Sequence, residues 1–259
     1  MKLKKSIFII TVIIVISFVV FHFDTSLFSK GNQVKVTIPE GYTNAEIGKT
    51  LEKSGLVTEK EFLNEAGNWS NNSYWFLKDF PNNKHKLDGF LYPATYTFSK
   101  NATSKIIIDE MLKAFETNMK PNKEYITKNK LNIRNIVITA SLIEKETVKD
   151  VDRSKVASVI YNRLNKNMPL QIDATILYII GHKEKLYYKD LAVKSPYNTY
   201  LNKGLPPSPI CNPGTKSINA AIIPAKTDYL FYVLNNKTNE HIFSKTYAQH
   251  SKNVSTYIK

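Results

Sequence analysis

Cysteine is almost missing. Cys211 is the only one in 259 residues, which excludes a disulfide framework and any multi-cysteine zinc or iron–sulfur site. Glycine is sparse too, nine in all, too few for a Gly-rich linker or a collagen-like chain. The five histidines, His22, His85, His182, His241 and His250, are scattered, and none forms a recognisable metal-ligand pair. No Gly-rich phosphate loop, Gly-x-Ser-x-Gly, Ser-x-x-Lys or His-Glu-x-x-His occurs, so those chemistries have no carrier. There are no internal repeats, and neither a metal nor a cofactor is expected. Cys211 has no histidine close to it in sequence and reads as a small buried thiol in a loop.

What is present is charge of one sign. Lys and Arg number 36 against 22 Asp and Glu, and the resulting +14 favours anionic partners: nucleic acid, lipid headgroups or an acidic polymer. Hydrophobic residues at 42% and aromatics at 12% suffice for a core and exclude wholesale disorder. Lys, Asn and Ile are abundant throughout, so a general compositional drift accounts for part of the charge.

Lys2, Lys4 and Lys5 precede an apolar run from Ile7 to Phe23, broken only by Thr11, Ser17 and His22. At ~1.5 Å per residue the run reaches most of a ~30 Å hydrocarbon layer. Its end, Phe18-Val19-Val20-Phe21-His22-Phe23-Asp24, has neither the small residues of a cleavage site nor a lipid-accepting cysteine. This predicts an uncleaved anchor over residues 6–24, the alternative being a cut further on, near Ser26 or Ser29. The lysine asymmetry puts residues 1–5 in the cytoplasm and the rest outside a cytoplasmic membrane crossed once, which argues against a nucleic-acid partner.

Beyond the anchor, Val34 to Ile38 alternates as a strand, and Thr43-Asn44-Ala45-Glu46 and Thr58-Glu59-Lys60-Glu61 are capping boxes opening two helices. Asn68 to Lys86 reads as a polar loop, and Phe90 to Phe98 as β-prone but broken by Pro93. Ser104 to Phe115, Ile133 to Thr147 and Arg153 to Asn165 read as helices, with a hydrophilic connector from Lys120 to Asn132 that can hold a short helix. Five prolines and two glycines between Ser195 and Gly214 fix a non-repetitive loop. A hairpin around Asn235-Asn236-Lys237 and a last helix capped by Thr246 follow. The expected class is α+β: a transmembrane helix, a small α/β module, then a larger mixed α+β domain.

Carboxylates are the remaining chemistry. In Ile133–Thr147, at about 100° per residue, Ile133, Val137, Ala140, Ser141 and Glu144 share one stripe, while Glu146 lies roughly 200° from Glu144. A carboxyl on an apolar face beside the small Ala140 and Ser141 has room for a ligand, and desolvation there would keep it protonated as a general acid. Glu144 is therefore the first candidate and Glu146 the reserve; the plain alternative is an exposed glutamate paired with Lys145 or Lys149. Asp173 sits in an apolar setting, where it also suits the N-cap of a helix starting at Ala174. Tyr197-Asn198-Thr199-Tyr200 offers aromatic faces and amides suited to sugar rings, or to loop packing.

The blocks SLIEKET, VIYNRLNKNMPLQIDATILY, YNTYLNKGLPPSPICNPG and AAIIPAKTDYLFYV, followed by HIF, resemble the YceG-like endolytic murein transglycosylases over about residues 133–250. DGFLYPATYTF resembles the segment before that family's catalytic region, and IPEGYTNAEIGKTLEKSGLV its LysM-like subdomain. The resemblance implies a LysM-like module with its connecting hairpin over residues 31–100 and a catalytic domain over residues 101–259. It implies one catalytic glutamate in SLIEKET, carried onto Glu144, with Gln171, Asp173, Asn198, Thr199, Tyr200 and Asn212 lining a glycan groove. The sequence departs from the family at Asp88-Gly89 (commonly Glu-Gly), Ala94 (commonly Asp), Cys211 (usually Ala) and Glu240 (often Gly), which bears on substrate preference.

The implied activity is endolytic cleavage of the glycosidic bond between N-acetylmuramic acid and N-acetylglucosamine, leaving a 1,6-anhydro end. Peptidoglycan strands, the cytoplasmic membrane and proteins of wall-synthesis or division complexes are the implied partners. Because the sugar's own 6-hydroxyl is the acceptor, a second carboxylate to activate water is unnecessary. Three alternatives remain at this point: a hydrolase with Glu144 as acid and Asp173 as base, a non-catalytic wall-binding scaffold, and a surface DNA-binding protein resting on charge alone.

Overall fold

The structure, a computed structural model, describes residues 32–78 and 83–258. The expected membrane anchor lies outside the described residues, among which no helix is long and apolar enough to cross a membrane. Strand β1 (Gln33–Thr37) leads into helices α1 (Asn44–Lys53) and α2 (Glu59–Gly67). Both helices open as their sequences predict. Thr43 and Thr58 accept the amides of Glu46 and Glu61, whose carboxylates take the threonine amides in return, at 2.8 and 2.9 Å. Strand β2 (Thr95–Ser99) then pairs antiparallel with β1, Val36 opposite Tyr96. Pro93 does not break this strand, because pairing begins only at Thr95.

The stretch between Asn68 and Lys86, expected as a polar loop, does more than connect. A 3-10 turn at Trp75–Leu77 drives Phe76 and Leu77 into the core. Phe76 lies 5.5 Å from Phe90 and 4.7 Å from Phe115, ring centre to ring centre. Helix α3 (Ser104–Lys128) also outruns its predicted end at Phe115 and contains Pro121. An internal proline costs ~3 kcal/mol, but burying Met119 and Ile126 on the continuing apolar face returns ~1.5–3 kcal/mol each. The hydrophilic connector is thus mostly helix.

Helix α4 (Ile133–Glu146), capped by the Asn132 side chain, packs against α5 (Asp150–Asn165), α6 (Asp173–Ile180) and α8 (Thr215–Ile222). Every residue from Ile136 to Ile143 is buried, so the middle of α4 has no wet face. A short α7 (Tyr188–Leu191) precedes the proline-fixed loop. Strands β3 (Phe231–Asn235) and β4 (Glu240–Ser244) form the expected hairpin, and α9 (Tyr247–Tyr257) packs on it. The described residues make a mixed α+β fold of nine helices and two two-stranded antiparallel sheets.

One hydrophobic cluster runs from Val36 through Phe76, Phe90 and Phe115 to α4 and α8. Asn212 fastens the two halves together. Its amide and its side-chain Nδ2 both donate to Tyr42 O, at 2.8 and 2.9 Å, while its Oδ1 accepts Leu91 N–H at 3.0 Å. Gly89 permits the neighbouring close approach: its φ is +83°, and a Cβ there would lie 2.6 Å from Pro209 and from Val137.

Candidate active site

The two glutamates near the end of α4 point into different surroundings. Glu144 is committed at both oxygens. Oε1 accepts from Arg153 Nη1 at 3.1 Å, and Oε2 accepts from Gly214 N–H at 2.9 Å. The pair is deeply shielded, with side-chain exposures of 9% for Arg153 and 7% for Glu144. Arg153 is itself held by Asp150 at 3.1 Å and by Ser217. Gly214 must lack a side chain here, because a Cβ would fall 1.9 Å from Glu40 Oε1. Burial pushes the Glu40 carboxyl up, and the nearby Glu144 carboxylate pushes it further. Glu144 therefore ties α4 to α5 and to the residue that opens α8, each of its oxygens already accepting a hydrogen bond from the protein. The expectation that it carries the acid is not what this geometry supports.

Glu146, the last residue of α4, sits in the other setting. Burial raises its carboxyl to about 7; a hydrogen bond from Tyr232 and the Ala174 amide oppose the rise, and the Asp173 charge adds to it. The Tyr232 hydroxyl donates to Oε2 at 2.9 Å. A carboxyl at the C-terminal end of α4 and beside a second carboxylate is discouraged from ionising, while the first turn of α6 and a phenol hold its orientation. That is the protonation state a general acid needs near neutral pH.

Three of the predicted substrate residues gather around this carboxyl's neighbours. Asp173 is the exposed first residue of α6, with Ile172 rather than Asp173 at the cap position. The Tyr200 hydroxyl donates to Asp173 Oδ1. Burial and that bond push the Tyr200 hydroxyl's pKa upward, so it stays a donor. Gln171 adopts φ +54°, its amide bonded to Thr199 O at 3.0 Å and its side-chain oxygen 3.3 Å from Arg163.

The other three are spent inside the protein. Asn198 is fully buried and donates to Leu191 O and Val193 O at 2.9 and 2.8 Å while accepting Tyr200 N–H at 2.9 Å. Thr199 Oγ1 accepts Ile172 N–H at 2.9 Å and meets Thr175 Oγ1 at 3.0 Å. Asn212 makes the bonds described above. These side chains are buried and brace, from within the protein, the loop that presents Tyr200 and Gln171.

Two residues escaped the sequence. Tyr232 stands 86 positions from the glutamate it contacts. Arg163 donates Nε to Leu230 O at 2.6 Å and Nη1 to Leu170 O at 2.9 Å, joining the entry of β3 to the Gln171 segment. Its guanidinium lies 5.1 Å from the Phe231 ring centre. The only sequence signal for either was membership in the blocks YNRL and YLFYV.

The YceG-like family matches residues 23–256. The chain belongs to the YceG-like family. An endolytic murein transglycosylase of Bacillus subtilis is 39% identical over 240 residues, covering 88% of this chain and 66% of that protein. One of Streptococcus pneumoniae is 32% identical over 244 residues, covering 86% of this chain and 44% of that protein. The YceG-like chain thus spans less than two thirds of the length of these relatives. A crystal structure of a YceG-like protein from Listeria monocytogenes superposes with a TM-score of 0.75 at 41% identity, over 85% of this chain and 75% of that one.

Proposed function

We propose that this YceG-like protein is an endolytic peptidoglycan transglycosylase whose general acid is Glu146. The observation that carries the assignment is a carboxyl poised near 7, held by Tyr232 and the Ala174 amide beside Asp173 and Tyr200. The names of two relatives, similar over most of this chain, support the substrate class.

In the reaction, protonated Glu146 donates to the oxygen joining N-acetylmuramic acid to N-acetylglucosamine, and the C1–oxygen bond breaks. Positive charge develops at C1 and the ring oxygen. Glu146, now a carboxylate, takes the proton from the muramic 6-hydroxyl as O6 closes onto C1. The anhydro ring forms, the acid is regenerated, and no water is consumed. Asp173 and Tyr200 contact and orient the sugar, with the Asp173 charge favouring the cationic state. Arg163 and Gln171 shape the wall of the site.

Glu146→Gln should abolish release of anhydro-ended fragments from purified strands while the fold, read by circular dichroism, is retained. Full activity in that variant would move the role elsewhere. Reducing ends in place of anhydro ends would convert the assignment to a hydrolase with Asp173 as base. For the rest of the chain we propose a single anchor over residues 6–24, cytoplasmic residues 1–5 and an extracytoplasmic catalytic region over residues 101–259. The β1–α1–α2–β2 order supports a LysM-like module over residues 31–100. Wall-synthesis or division proteins are proposed partners, and nucleic acid is not.

A further inference from the structure

A cavity of about 810 Å³ opens between α1, α2 and α6, within the ~300–1,000 Å³ range of ligand sites. It adjoins the acid: Ala174 lines the cavity while its amide reaches Glu146, and Lys145, the residue before Glu146, lines it as well. Leu63, Leu177, Tyr178 and Ile210 supply apolar surface. Its acids are already engaged. The Glu46 carboxylate caps Thr43, and Asp88 takes His85 Nδ1 at 2.8 Å, Asn44 Nδ2 at 2.9 Å and Ser208 Oγ at 3.1 Å. Its cations are less engaged. Lys84 and His182 are exposed and form no ion pair among the described residues, and Lys145 Nζ donates only to Gly41 O, at 3.1 Å.

We propose that this cavity binds the anionic stem peptide carried by the muramic residue at the scissile bond. The inference rests on the transglycosylase assignment and deepens it. The stem leaves the sugar from the lactyl group on C3, a few bonds from the C1 being cleaved. A sugar held against Glu146 can therefore send its stem past Ala174 into the cavity. Peptide carboxylates suit Lys84 and Lys145, and the aliphatic side chains of a stem suit Leu177 and Ile210. A stripped glycan keeps only the short lactyl carboxylate at C3 and has no chain to extend along the cavity or fill its apolar wall.

The test compares strands carrying stems with the same strands stripped by an amidase, using the full chain. Wild type should show a KM several-fold lower on stem-bearing strands. Lys84→Glu should raise that KM roughly five-fold, the scale of one partly exposed ion pair, and leave the stripped-strand KM unchanged. In parallel, a fluorescein-labelled stem peptide should bind saturably by anisotropy, more weakly in high salt and in Lys84→Glu. Equal wild-type KM values on both substrates, or a Lys84→Glu effect equal on both, would overturn the proposal. If neither substrate is cut, the transglycosylase assignment fails, and peptide binding decides the cavity alone: no saturable binding refutes it.

Discussion

Replacing Tyr232 by Phe removes one oxygen from the protein and keeps the ring that packs edge-on against His241, 5.1 Å away. That oxygen donates to Glu146 Oε2 at 2.9 Å and holds the carboxyl down against the burial that raises it to about 7. A hydrogen bond to a charged acceptor contributes ~1.5–3 kcal/mol, and ~1.36 kcal/mol corresponds to one pKa unit. Losing it should therefore lift Glu146 by about 1–2 units. The acid must be protonated to act, so the alkaline limb of kcat/KM follows its ionisation. That limb should fall through about 7 in the wild type and shift up by about 1–2 units in Tyr232→Phe. At pH 6 any remaining difference in rate reports the orientation of the carboxyl. The assay is initial-rate release of anhydromuropeptides, separated by chromatography and weighed by mass spectrometry, from about pH 5 to about pH 9. An alkaline limb that does not move in a folded Tyr232→Phe protein would refute the assignment of Glu146 as the acid.

Other consequences are open to measurement. Glu146 is raised from 4.5 to about 7 on folding, so its contribution to stability is fully present below about 4.5 and lost as pH climbs through about 7. Urea unfolding should find Glu146→Gln more stable than wild type by about 3 kcal/mol at pH 8, with the gap closing toward pH 4; a constant gap would deny the shift. Glu144→Ala should cost ~3–5 kcal/mol, because it strands the shielded Arg153 guanidinium, and thermal unfolding would report it. Normal stability with abolished cleavage would instead return the acid's role to Glu144. Asn212→Ala leaves Leu91 N–H without its acceptor and should cost ~1–3 kcal/mol. Hydrogen exchange at Leu91 should quicken more than at the centre of α4, and uniform protection would contradict the fastening role.

Most elements could be read from the sequence because their signals are local. The two capping boxes, the Thr246 cap and the turn at Asn235 act within four residues. The choice between Glu144 and Glu146 could not be made that way. A helical wheel separates a wet face from a dry one, and α4 is dry all round from Ile136 to Ile143, so its angles do not say which neighbour each glutamate meets. Those neighbours, Arg153 with Gly214 on one side and Tyr232 with Ala174 on the other, come together only in the fold. Asn198, Thr199 and Asn212 show a different limit. A block of sequence marks a residue as belonging to a site without saying whether it touches the ligand or braces the loop that does. Pro121 and the buried Phe76 turn show tertiary burial overriding local preference.

The continuous core has a consequence for how such a chain can change. Phe76 and Phe90 from the first half stack on each other and pack, tilted and edge-on, against Phe115 from the second, and Tyr42, Asn44 and Leu91 are partners of Asn212. A fragment starting near residue 101 would carry a bare aromatic face, an asparagine without partners and only one wall of the cavity. Exchanging the first half for that of a relative would succeed only if these contacts travelled with it. The two halves are heritable as a pair, and a drift in one must be answered by the other.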